Sequence, residues 1–74
     1  MSGESIEDVE PRVKQALAKH SVAALRDLRV ERVGESLLIL GEVPSFYCKQ
    51  LAQEVALGVT KDVPLINQVN VSDD

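Results

Sequence analysis

Aromatic side chains are almost missing from this chain. Its 74 residues include one Phe, one Tyr and no Trp, so any core must be aliphatic. Cysteine is as scarce: Cys48 is alone, which excludes an internal disulfide and points to a reducing compartment. His20 is the single histidine, so no second imidazole can join it at a metal. The glycines stand apart at 3, 34, 41 and 58, which excludes a Gly-rich phosphate loop. No run approaches the ~18 apolar residues of a membrane span. Residues 1–10 are acidic and polar, unlike the basic start and apolar stretch of a secretory signal. These absences lead to the expectation of a cytoplasmic protein.

Aliphatic residues are plentiful. Apolar residues make up 45%, mostly Val, Leu and Ile, which is a globular composition and not a disordered one. The length suits one small domain. Without a disulfide, stability must come from packing or from a partner surface. Net charge is −4 and unevenly spread. Residues 1–10 carry four acids and no base, and residues 11–32 carry six bases against Asp27 and Glu31. Residues 33–74 carry six acids and two bases. Overall acidity argues against a dedicated nucleic-acid binder. The basic middle segment offers a modest anion-facing patch around Arg26, Arg29 and Arg32.

The most informative stretch is Ser36-Leu37-Leu38-Ile39-Leu40-Gly41-Glu42-Val43-Pro44-Ser45, which reads as a strand running into a helix cap. The strand is apolar on both faces, so more than one surface should cover it. Before it, residues 1–7 read as a loose tail. Asp8 is the expected cap of a first helix, because Pro11 then falls in the first turn, where its missing N–H costs no helix bond. Ser5 is the alternative cap. Val9, Val13, Ala16, Leu17 and His20 recur at helical spacing on one face. Residues 21–26 form a connection with room for a short helical turn.

Residues 27–33 read as the first strand, and Gly34-Glu35 as a two-residue type II′ hairpin. That turn pairs Val33 with Ser36, Val30 with Ile39 and Arg29 with Leu40. One face then carries Leu28, Val30, Leu37, Ile39 and Val43, the expected core side. The other carries Arg29, Glu31, Leu38 and Leu40. Gly41, on the core face, suggests a closely packed helix. Ser45 should cap a second helix with Cys48, Leu51, Ala52, Val55 and Val59 buried. Phe46 and Leu57 fall on its polar side, and Phe46 is expected to fold back on the sheet edge. Gly58 is the expected terminator. Residues 65–72 form the third strand, parallel to the second, with Val69 and Val71 inward and Gln68 and Asn70 outward. Residues 73–74 are a frayed end. The fold class is therefore α+β in the order αββαβ, with two helices packed on one face of a three-stranded mixed sheet, in a single domain over residues 8–72.

Several short patterns follow one another in the order found in a known module: Val13-Lys14-Gln15-Ala16-Leu17, Val30, Ile39-Leu40-Gly41-Glu42-Val43, Ala52 with Ala56, and Ile66-Asn67-Gln68-Val69-Asn70-Val71. Together they resemble a BON domain, the bacterial module named for osmotically inducible and nodulation proteins, over residues 8–72. The family's usual Gly-Val pair before the last strand is replaced here by Lys61-Asp62-Val63-Pro64. The resemblance implies a non-enzymatic binding module that contacts phospholipid or other envelope components.

No catalytic constellation stands out, and no cofactor or metal is expected. The αββαβ order also invites comparison with RNA-binding KH domains, but their Gly-x-x-Gly clamp is missing. Two readings remain. The first is protein contact or self-association through Arg29, Glu31, Leu38, Leu40, Phe46 and Leu57. The second is peripheral binding of anionic phospholipid through Arg26, Arg29 and Arg32.

Overall fold

The computed structural model describes residues 5–72. Its elements are α1 (Ile6–Ala18), α2 (Ala23–Arg26), β1 (Arg29–Val33), β2 (Ser36–Val43), α3 (Phe46–Thr60) and β3 (Leu65–Val71). Of the tail expected over residues 1–7, Ser5 is instead the cap of α1, and Ile6 and Glu7 belong to its first turn. Residues 1–4 and 73–74 lie outside the described residues.

Helix α1 starts at the alternative cap. Ser5 Oγ accepts from the Asp8 N–H, and the Ser5 hydroxyl donates to the Asp8 carboxylate at 3.2 Å. Pro11 consequently sits inside the helix. There it leaves the Glu7 carbonyl without its ladder donor. The earlier start has a compensation, because Ile6 joins Val9, Val13 and Leu17 in the buried stripe. Burying an Ile contributes ~1.5–3 kcal/mol. A good cap adds about 1 kcal/mol. Together these offset one lost helix bond.

His20 closes the helix end. Its N–H donates to the Leu17 carbonyl at 3.2 Å, and its Nδ1 accepts from the Val22 N–H at 3.0 Å. The expected turn becomes the short helix α2, which plants Leu25 in the core.

The hairpin forms in the register read from the sequence, from Arg29 opposite Leu40 to Val33 opposite Ser36. Gly34 has φ +61°, while Glu35 keeps an ordinary φ, the pattern of a type II′ turn. β3 pairs parallel to β2 on its other edge, giving the order β1-β2-β3. Val30, Leu37, Ile39, Val43 and Val69 are buried, and all five lie on one face of the sheet. They form a single cluster with the buried residues of α1, α2 and α3.

Gly41 has a different explanation from the one expected. Its close neighbour is Leu28, in the connector before β1, and not a helix. A β-carbon at position 41 would lie 2.7 Å from Leu28 Cδ2. The backbone there has φ +136°, a conformation that strongly favours glycine.

In α3, Ser45 Oγ accepts from the Cys48 N–H at 3.2 Å, as expected of the cap. Cys48, Ala52, Ala56 and Thr60 form the buried stripe, with Leu51, Val55 and Val59 half-buried beside it. Gly58 does not end the helix. It is exposed inside α3, and the turn occurs at Lys61, with φ +51°. Stopping at Gly58 would leave Val59 and Thr60 out of a stripe that repeats every fourth residue. Asn67 locks β3 to this helix. Its Nδ2 donates to the Lys49 carbonyl at 3.1 Å, and its Oδ1 accepts from the Val69 N–H at 3.1 Å.

Two stability changes follow. Gly41→Ala should lower the unfolding free energy by about 1–3 kcal/mol, because it combines a forbidden φ with the Leu28 contact. A denaturation midpoint equal to wild type would refute that account. Thr60 is 1% exposed, and its hydroxyl has no hydrogen-bond partner among the described residues. Thr60→Val keeps the shape and removes the orphaned hydroxyl, so it should raise the unfolding free energy by about 1 kcal/mol. Loss of stability in the same denaturant titration would show that the hydroxyl is satisfied after all.

Candidate functional site

The outer face of the sheet is assembled by strand alternation and register. β1 contributes Arg29, Glu31 and Val33, β2 contributes Ser36, Leu38, Leu40 and Glu42, and β3 contributes Ile66, Gln68 and Asn70. Read across the strands, these residues form rows. One row is Glu31, Leu38 and Ile66, and the next is Arg29, Leu40 and Gln68. Leu38 and Leu40 are only half-buried, and Val33 and Ile66 are exposed. No element of the described residues covers this side. The second covering surface expected for β2 is therefore not supplied by residues 5–72.

The six candidate contact residues do not make one patch. Arg29, Glu31, Leu38 and Leu40 share the outer sheet face. Phe46 and Leu57 lie on the solvent side of α3, opposite its buried stripe. Phe46 does not fold back on the sheet edge. It is 72% exposed, and the Lys49 ammonium lies 6.0 Å from its ring centroid. The reason is angular. Phe46 projects about 120° around the helix from the middle of the buried stripe, and reaching the sheet would require unwinding the first turn.

Three exposed apolar residues escaped the sequence reading: Val33, Ile66 and Tyr47. The first two were accessible through parity, since Ile66 alternates with the outward Gln68 and Asn70, and Val33 faces Ser36. Tyr47 is 70% exposed at the second position of α3, so both aromatic rings of the chain stand in solvent.

The three arginines are dispersed. Arg29 belongs to the outer sheet face. Arg32 is on the opposite face, 3.8 Å from the Glu7 carboxylate, and its Nε donates to the Gly34 carbonyl at 3.3 Å. Arg26 folds back, its guanidinium donating to the His20 carbonyl at 2.9 Å. One flat anionic surface cannot meet all three without rearranging these contacts.

One open depression, about 540 Å³, lies between the start of α1 and the loop before β3 and is lined by Glu7, Arg32, Glu35 and Asp62. Another, about 470 Å³, lies on the outer sheet face against Arg29, Leu40, Glu42 and Gln68. Among the described residues no cluster of His, Cys, Asp and Glu is placed to hold a metal ion. Cys48 is a buried thiol under α3. No described helix is long and apolar enough to cross a membrane. The arrangement suits contact with another surface: an apolar strip two rows deep, with opposite charges along one edge.

No protein-family model, curated protein or solved structure matches the chain.

Proposed function

We propose that this chain is a small non-enzymatic interaction module, similar to a BON domain, which contacts protein through the outer face of its sheet. The observation that carries the reading is the uncovered strip of Leu38, Leu40 and Ile66 on a sheet whose other face buries Val30, Leu37, Ile39, Val43 and Val69. The element order and the parallel pairing of β2 with β3 support the BON-like reading. Burial of each Leu contributes ~1.5–3 kcal/mol. Association costs ~4–15 kcal/mol in lost freedom. Two or three such residues therefore support a weak contact and leave little surplus. The edges of β1 and β3 offer backbone groups as a further route to pairing.

A second reading is peripheral binding to phospholipid. Its specific support is the exposed pair Phe46 and Tyr47 beside Lys49, since aromatic rings and basic groups favour a membrane interface. The scattered arginines lend it no common surface.

Two experiments separate these readings. A photo-crosslinking residue at position 40, in cells expressing the chain, should give covalent protein adducts. The same residue at Glu54, on the solvent side of α3, should give none. An absence of adducts from position 40 would refute the protein-contact reading. Sedimentation with anionic and neutral vesicles should leave the chain in the supernatant. Salt-sensitive pelleting with anionic vesicles, abolished by Phe46→Ser with Tyr47→Ser, would instead favour the phospholipid reading.

A further inference from the structure

We propose that the partner of the outer sheet face is a second copy of this chain, stacked face to face about a two-fold axis that runs midway between the two sheets, parallel to their planes and perpendicular to the strands, and passes over the gap between Leu38 and Leu40. The inference rests on the protein-contact reading and names its occupant.

The two central rows of the face are complementary to one another. One holds Glu31, Leu38 and Ile66, and the other Arg29, Leu40 and Gln68. Rotation about the stated axis keeps each strand over its own counterpart and exchanges the rows. Leu38 then lies over Leu40 of the other copy, and Leu40 over Leu38. Glu31 meets Arg29 of the other copy, and symmetry repeats the pair. Neither Arg29 nor Glu31 has an ion pair within the described residues. Stacked sheets stand ~10 Å apart, a gap that an Arg and a Glu span together. The other in-plane axis, along the strands, would set Glu31 against Ile66 and Arg29 against Gln68. It strands both charges, so the first axis is favoured.

The contact is small. Three strands ~4.8 Å apart and about seven residues long present a footprint on the order of 300 Å² per copy. A standard interface buries about 800 Å² per partner. The dimer should therefore be weak, reversible and visible only at high protein concentration. An isologous contact of this kind closes on itself and does not grow into fibres.

The test uses the full chain in low salt, with sedimentation equilibrium over a wide concentration range. Wild type should show a monomer–dimer equilibrium. Arg29→Glu and Glu31→Arg each create two like-charge contacts, and each alone should dissociate at least tenfold more readily. An equimolar mixture of the two variants restores both Arg–Glu contacts between unlike copies, and should associate about as well as wild type. Both variants remain net acidic, since wild type carries −4 and each change moves it by one charge reversal, so general attraction does not explain such recovery. Both positions are exposed, and matching thermal melts will show that the variants fold.

A mixture that stays monomeric, or a dimer indifferent to either single change, overturns the proposed pairing. A wild type that stays monomeric at every concentration also overturns it. If position 40 still crosslinks to a different protein, the protein-contact reading survives that failure. If position 40 crosslinks to nothing, both fall together.

Discussion

Pairing of β2 along both of its edges is the constraint on which the rest of the molecule depends. The hairpin supplies one edge and the parallel strand β3 the other. Once both ladders are in place, strand alternation decides every side chain's destination. Leu37, Ile39 and Val43 go to the helices, while Leu38, Leu40 and Glu42 go outward. The helices then have one surface to cover, and their small residues fit it. Cys48, Ala52 and Ala56 let α3 lie close to the sheet, and Asn67 holds it there through the Lys49 carbonyl.

The polar contacts are mostly local, and they act where the chain changes direction. Ser5 and Ser45 start the long helices, His20 orders the turn after α1, and Gly34 turns the hairpin. The two serines and His20 pair backbone N–H groups at a boundary, and Gly34 supplies the positive φ of the turn. The core needs none of them to be charged. It is built of aliphatic groups and one free thiol, with the Thr60 hydroxyl as its unmet polar atom. Charge is thereby left to the surface, where Arg29 and Glu31 stand beside the outer leucines.

Element types and hairpin register were legible in the sequence because two local signals agree there: Gly34 in the turn and the alternation of Val30, Leu37 and Ile39. Helix boundaries were less legible. The choice of Ser5 over Asp8 turns on whether Ile6 is buried, which is a tertiary fact. The extension past Gly58 turns on Val59 and Thr60 in the same way. Leu28 falls opposite Gly41 in that same hairpin register, so the pair was within reach of the sequence, and the fold adds how closely the two approach. The outer face was half legible. Leu38 and Leu40 followed from register, whereas Ile66 needed the order of strands. Phe46 was misplaced because its position in the first turn of α3 was expected to let it fold back on the sheet edge, whereas its ring stands in solvent.

Gly41 has a consequence for how the strand chooses its frame. Leu37-Leu38 and Ile39-Leu40 are near-equivalent pairs, so this half of β2 is ambivalent about which side faces inward. A shift of one residue would exchange one apolar set for the other at little cost. The same shift would drive Glu42 into the place of Gly41, where a β-carbon meets Leu28 Cδ2 at 2.7 Å and φ is +136°, a backbone that strains any side chain. The ambivalent half thus inherits its orientation from the two residues that follow it. That division leaves Leu38 and Leu40 released from the duty of specifying the fold, and open to selection by whatever they touch.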